Sequence, residues 1–299
     1  MPRRYVQLDV FASRPGAGNP LAAVLDAEGM DTASMQALAA WLNLSETIYF
    51  LPPDAGADYR IRIFTPGCEL PFAGHPSVGA AWLAATHGLA TPRDGQLVQQ
   101  CAAGLLPAQV HGDPLRPGIL LRSPRGRLLE AATGALPREL AAIARPGQAV
   151  ELWSNGPRWW LLEAGSADAL RGLKPDFGAI AGWTDATGST GVAAFAFEDG
   201  GDHQLVVRAF CPGDAVGVPE DPVTGSANAV IAARLHREGR LPGRDGRYIA
   251  SQGRELGRDG RVTLQVDADG EVWIGGEVQQ VIAGSLEWPD AQATGPASP

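Results

Sequence analysis

The run Arg62 to Ala81, RIFTPGCELPFAGHPSVGAA, returns in altered form as Arg208 to Ala227, RAFCPGDAVGVPEDPVTGSA. Arg62 and Arg208, Phe64 and Phe210, Pro66 and Pro212, and Gly67 and Gly213 all stand 146 positions apart (208 − 62). Pro76 and Pro222, and Gly79 and Gly225, keep the same offset, so that His75 faces Asp221 and Ala80 faces Ser226. A repeat spaced by about half of a 299-residue chain predicts a duplicated unit, with two copies able to build one site from opposite sides.

Hydrophobic periodicity fills in each copy. Residues 5–11, 21–25 and 59–64 read as strands, and a helix capped by Asp31 or Thr32 runs to about Asn43. A second helix follows His75-Pro76 and stops at Gly88, and its counterpart follows Asp221-Pro222 and ends at Gly239. Strand runs outnumber helices, which points to α+β architecture rather than repeated units on one parallel sheet. The expected fold is two pseudo-symmetric domains, residues 1–123 and 124–288, each a mixed β-sheet or barrel wrapped round a central α-helix, with 289–299 a disordered tail.

Composition removes several function classes. With 45% hydrophobic and 19% charged residues, the chain reads as a soluble globular protein. It has neither a long apolar run nor a signal-peptide pattern, so the expectation is cytoplasmic with no membrane partner. A net charge of −9 and dispersed arginines argue against nucleic acid. Lys174, the single lysine, precedes a proline in a turn-like run, a poor place for a pyridoxal Schiff base. Cys68, Cys101 and Cys211 form no pair, the five histidines have no metal-ligand spacing, and no glycine-rich nucleotide motif occurs. No cofactor and no metal are therefore expected. Cys68 and Cys211 lie in the two copies but 143 apart (211 − 68), out of register for a two-thiol racemase.

The two helix entries near Gly74 and Gly225 would present free N–H groups and positive dipole ends, a receptor for a carboxylate or a developing enolate. Ser226 adds a hydroxyl donor and Asn19, in the GNP turn, an amide. Glu46, His75 and Asp221 are the groups able to move protons, with Glu46, at a strand start, the shuttle. Each has a plainer reading taken alone: a solvated surface glutamate, a packed histidine, an ordinary N-cap aspartate. Structure requires the repeated Gly and Pro, but it does not require His and Asp at matched helix entries.

The segments DVFASRPGAGNPLAAVL, NLSET, FTPGCELPFAGHPSVGAA and EDPVTGSANA resemble, in order, the signature segments of the PhzF-like phenazine biosynthesis family, within the diaminopimelate epimerase fold. The resemblance runs from about Tyr5 to Trp288. It implies an active site between two pseudo-symmetric domains, commonly a homodimer, and proton transfer without a cofactor on a small carboxylate. The family's catalytic glutamate falls on Glu46, its histidine on His75, its aspartate on Asp221 and its serine on Ser226. Related epimerases and proline racemases carry paired cysteines at the helix entries, which this chain lacks. An isomerase is the leading expectation. A racemase or epimerase of the same fold, or a carboxylate-binding protein without chemistry, are the alternatives.

Overall fold

The computed structural model describes residues 2–198, 201–213 and 218–289. The first half runs β1 (Arg3–Val10), β2 (Asn19–Val24), α1 (Thr32–Leu42), β3 (Glu46–Leu51), β4 (Tyr59–Phe64), β5 (Glu69–Leu70), α2 (Gly74–Thr86), β6 (Gln96–Cys101), β7 (Gly104–Asp113), β8 (Arg116–Arg122) and β9 (Arg127–Ala131). After α3 (Arg138–Ile143), the second half runs β10 (Glu151–Ser154), β11 (Arg158–Glu163), α4 (Ala167–Gly172), α5 (Phe177–Ala186), β12 (Gly191–Phe197), β13 (Leu205–Phe210) and β14 (Glu220–Asp221). It closes with α6 (Gly225–Arg237), β15 (Arg247–Gln252), β16 (Gly260–Val266), β17 (Val272–Gly276) and β18 (Val278–Leu286).

Local chemistry accounts for the element ends. Asp31 accepts the Ser34 N–H at 2.7 Å to start α1, and Asn43 in the left-handed region ends it. The β1–β2 loop closes on β1 at its last residue: Asp9 accepts the Gly18 N–H, and a Cβ on Gly18 would lie 2.1 Å from the Val10 carbonyl oxygen, so only glycine fits.

Strand pairing repeats step for step. β1–β2, β3–β4, β6–β7 and β7–β8 are antiparallel while β2–β3 and β4–β6 are parallel. The second half copies this with β10–β11, β12–β13, β15–β16 and β16–β17 antiparallel and β11–β12 and β13–β15 parallel. Each sheet curls round one helix, α2 or α6, and nearly every residue of the first three turns of both is buried. Helices buried on nearly every face belong at the centre of a fold. The largest apolar cluster contains Leu8, Ile48 and Val78 from the first half and Val207, Val230 and Ile274 from the second, so one core spans both. Smaller clusters lie beneath α1 and beneath α4 and α5.

Three expectations change. The division at 123/124 puts the last strand in the second half, yet β18 pairs with β1, as β9 pairs with β10. The final strand of each half therefore completes the sheet of the other, and β17 pairs with β8 to join the two sheets edge to edge. The repeat register is also corrected beyond Gly213. Arg62 holds Glu69 through two N–H donors as Arg208 holds Glu220, and each guanidinium lies 5.0 Å from the ring of Phe64 or Phe210. Glu69 thus matches Glu220 and Gly74 matches Gly225, an offset of 151 (225 − 74), so His75 faces Ser226 and Asp221 faces Leu70. The second copy holds five more residues between its strand and its helix, and α6 begins at Gly225 rather than directly after Pro222. Finally, α4 and α5 are helices that periodicity did not predict. The tail expected at 289–299 lies, from Asp290 on, outside the described residues. Among the described residues, no helix is long and apolar enough to cross a membrane.

Candidate active site

The first turns of α2 and α6 meet at Gly74 and Gly225. A Cβ on Gly74 would lie 2.8 Å from the Gly225 Cα, so the two helix starts touch backbone to backbone. Neither Ala73 nor Thr224, the residues in the N-cap positions, caps its helix with a side chain. By helix geometry the first-turn amides have no intrahelical acceptor, and here they open beside a cavity of about 240 Å³. Its wall includes Glu46 from β3, Asp221 from β14, Thr224 and Ser226 at the start of α6, and the apolar Leu70, Phe72 and Trp159.

Glu46 and His75 face each other, with Glu46 Oε2 3.5 Å from His75 Nε2. Both atoms are buried without a hydrogen-bond partner. Burial raises the Glu46 carboxyl to about 8, the Asp221 charge adds to the effect, and Ser45 opposes it. Burial lowers the His75 imidazole to about 3, opposed by the Pro20 carbonyl, which accepts a hydrogen bond from the ring. Asp221 is raised less, to about 6, because hydrogen bonds from Thr224 and Asn19 offset its burial. Burial thus favours the uncharged forms of Glu46 and His75, and favours that of Asp221 less because its two donors hold the charge.

Asn19, expected to present its amide to a substrate, spends it within the protein. Its Nδ2 donates to Asp221 Oδ1 at 2.8 Å and to the Val223 carbonyl at 3.0 Å, and lies 3.3 Å from His75 Nδ1, while its Oδ1 accepts from Ser45 at 2.9 Å. It ties the first half to the loop that carries Asp221. Gly74 and Gly225 set the approach of the helices, and Ser226 lines the cavity. Glu46 has no equivalent in the second half. The pairings Thr47↔Phe64 and Val192↔Phe210 put Gly191 at its place. A Cβ there would lie 2.2 Å from the Phe210 carbonyl oxygen, so no side chain fits.

Two contributors escaped the sequence reading. Trp159, within NGPRWWLLE, lines the cavity, and its Nε1 donates to Ser226 Oγ at 3.1 Å. That bond leaves the Ser226 hydroxyl hydrogen free to donate. The signal was the faint echo of Gly18-Asn19-Pro20 in Asn155-Gly156-Pro157 just before it: Asn155 donates to the Ser226 carbonyl at 3.1 Å, bracing α6 much as Asn19 braces the Asp221 loop. Gln252 at the end of β15 had no signal at all, and it binds the start of α6 from behind.

A family profile described as phenazine biosynthesis-like protein matches residues 8–284. The chain belongs to that family. It is 35% identical over 272 residues to the trans-2,3-dihydro-3-hydroxyanthranilate isomerase of Pseudomonas aeruginosa, covering 90% of this chain and 92% of the relative. A phenazine biosynthesis protein of the PhzF family from Bacillus anthracis superposes with a TM-score of 0.82 at 24% identity, over 96% of this chain and 99% of that one. A probable proline racemase from Agrobacterium radiobacter shares the fold, with a TM-score of 0.64 at 14% identity over 97% and 94% of the two chains. This member of the phenazine biosynthesis-like family is thus an isomerase, and its two-half α+β architecture is the diaminopimelate epimerase-like fold.

Proposed function

We propose that the chain is a cofactor-independent isomerase that moves a proton between two carbons of a small carboxylate-bearing substrate. The observation that carries this reading is the placement of Glu46 and Asp221 on one small cavity at the foot of two uncapped helices. The helix N-termini receive the substrate carboxylate and hold charge that develops as a C–H bond breaks. Glu46 and Asp221, perturbed in the same direction to different extents, supply an acid and a base whose pKa values bracket neutrality, which suits proton transfer at neutral pH. A cavity of about 240 Å³ falls below the roughly 300–1,000 Å³ of pockets for drug-sized ligands, so the substrate is small. The Pseudomonas aeruginosa relative is named for a substrate of this kind, a cyclic carboxylate.

The asymmetry of the two halves favours proton migration over inversion at one carbon. Inversion asks for an acid and a base on opposite faces at matching positions. Here Glu46 is matched by a glycine and His75 by Ser226.

The test is solvent exchange. Candidate cyclic and amino-acid carboxylates incubated in D2O with the protein should take up label at a specific carbon, and Glu46→Gln should reduce uptake at least about 100-fold while leaving binding in place. Uptake unchanged by that substitution would refute the role of Glu46. Binding without exchange would make the protein a carboxylate receptor, and label with inverted chirality would make it a racemase.

A further inference from the structure

Gln252 occupies the core behind the site and forms hydrogen bonds with four groups. Its Oε1 accepts from the Thr224 N–H at 3.1 Å and from Asn228 Nδ2 at 2.9 Å. Its Nε2 donates to the Asp221 backbone carbonyl at 3.0 Å and to Thr224 Oγ1 at 2.9 Å. The orientation of this amide is dictated by its neighbours, since a backbone N–H can only donate and a backbone carbonyl can only accept. Both hydrogens of Nε2 are therefore committed.

The consequence passes to Thr224. Its hydroxyl already accepts from Gln252, so its one hydrogen points to Asp221 Oδ2, 2.7 Å away. The other oxygen, Asp221 Oδ1, faces Asn19 Nδ2, whose orientation is fixed by the Val223 carbonyl. Both Asp221 oxygens thus meet donors, and a proton on either would weaken the bond made there. Glu46 is in the opposite condition: its Oε2 is buried with no donor, opposite His75 Nε2.

We infer that Gln252 and Thr224 are positioning residues that decide where the proton of the Glu46–Asp221 pair resides, holding Asp221 as the resting base and leaving Glu46 as the resting acid. This rests on the proton-transfer reading above and deepens it by assigning the starting protonation state. A catalytic cycle then opens with Asp221 taking a proton from substrate carbon and Glu46 giving its own to another. Both return to the resting state when the two carboxyls exchange the proton. Atoms and charge balance without any co-reactant. The charged and titratable groups around Asp221 are Glu46 on β3, His75 on α2, Glu220 beside it with its partner Arg208 on β13, and Cys211 just past β13. Glu220 is neutralised by Arg208, so the contest for the proton is chiefly between Glu46 and Asp221.

The experiment follows the carboxyl carbons of ¹³C-labelled aspartate and glutamate by NMR as pH is varied, in the substrate-free protein, alongside the pH profile of label uptake from D2O. Thr224→Val keeps the side-chain shape and removes the hydroxyl. It should raise the Asp221 titration by about one unit and lower uptake about tenfold on the acidic limb while sparing the alkaline plateau. Thr224→Ser should restore both. Gln252→Met should move them the same way by less, because the threonine hydroxyl then rotates freely. Unmoved Asp221 titration in Thr224→Val overturns the inference, as does uniform loss of uptake at all pH with unmoved titrations. If the titrations shift as expected but no carboxylate exchanges in the unaltered protein, the isomerase reading fails and the assignment of the proton stands.

Discussion

Burial displaces Glu46 and His75 in opposite directions because it disfavours charge, and a carboxylate loses its charge upward in pH while an imidazolium loses it downward. The two leave different marks on stability. His75, depressed to about 3, binds a proton more readily unfolded than folded, so its contribution grows from pH 3 to 6.5 and is complete above. Glu46, raised to about 8, binds more readily folded, so stability falls as pH rises from 4.5 to 8. Asp221 acts like Glu46 but ends at about 6. Between pH 6.5 and 8 only Glu46 of the three changes, at ~1.4 kcal/mol per unit where fully expressed. Urea midpoints of the unaltered protein should therefore drop across that interval, while Glu46→Gln should hold level and be the more stable at pH 8. Equal slopes for both would show that Glu46 ionises freely. The identities of His75, Asp221 and Ser226 were legible because each sits beside a Gly or Pro of the helix entries, and that of Glu46 because it stands where a helix ends and an apolar strand begins. Trp159 and Gln252 were not, since a strand residue facing inward looks the same in sequence whether it meets the core or the back of a site.

At the scale of elements, the two Arg–Glu clamps are one device in two environments. Arg62 and Glu69 side chains are 22% and 33% exposed, whereas Arg208 and Glu220 are 4% each, and Arg208 also donates to the carbonyls of Leu170 and Leu173 around the end of α4. Removing one partner of a buried pair strands the other charge. Glu220→Ala should cost about 3–5 kcal/mol in urea unfolding. Glu69→Ala should cost about 1 kcal/mol or less. Matching losses would mean that burial does not separate the two clamps. These clamps also explain the error of register. Gly213 ends the stretch in which the copies run together; beyond it, Pro222 and Gly225 meet the first spacing by coincidence, and the ion pairs, the β4–β5 and β13–β14 pairings and the helix starts reveal the five added residues. β4 was legible to the residue from alternation alone. α4 and α5 were not, being short, separated by Leu173-Lys174-Pro175-Asp176, and apolar on only part of their surface.

At the scale of the molecule, duplication has not produced two independent domains. One apolar cluster passes through both halves, the α2 and α6 termini abut, and the halves trade their last strands. Unfolding should accordingly be a single transition, with tryptophan fluorescence, which includes Trp82 in the first half and Trp153, Trp159 and Trp160 in the second, coinciding with far-UV circular dichroism. Two separated transitions would show that the halves fold as units. The traded strands carry a topological consequence. Arg3 lies opposite Leu286 in the β1–β18 pairing, just as β9 lies beside β10, where residues 132–150 make the covalent link. The fold is in effect a closed ring of two equivalent arcs, cut at one of two equivalent seams. A circular permutant sealed between Leu286 and Arg3 and opened within residues 132–150 would keep every strand partner and the active site.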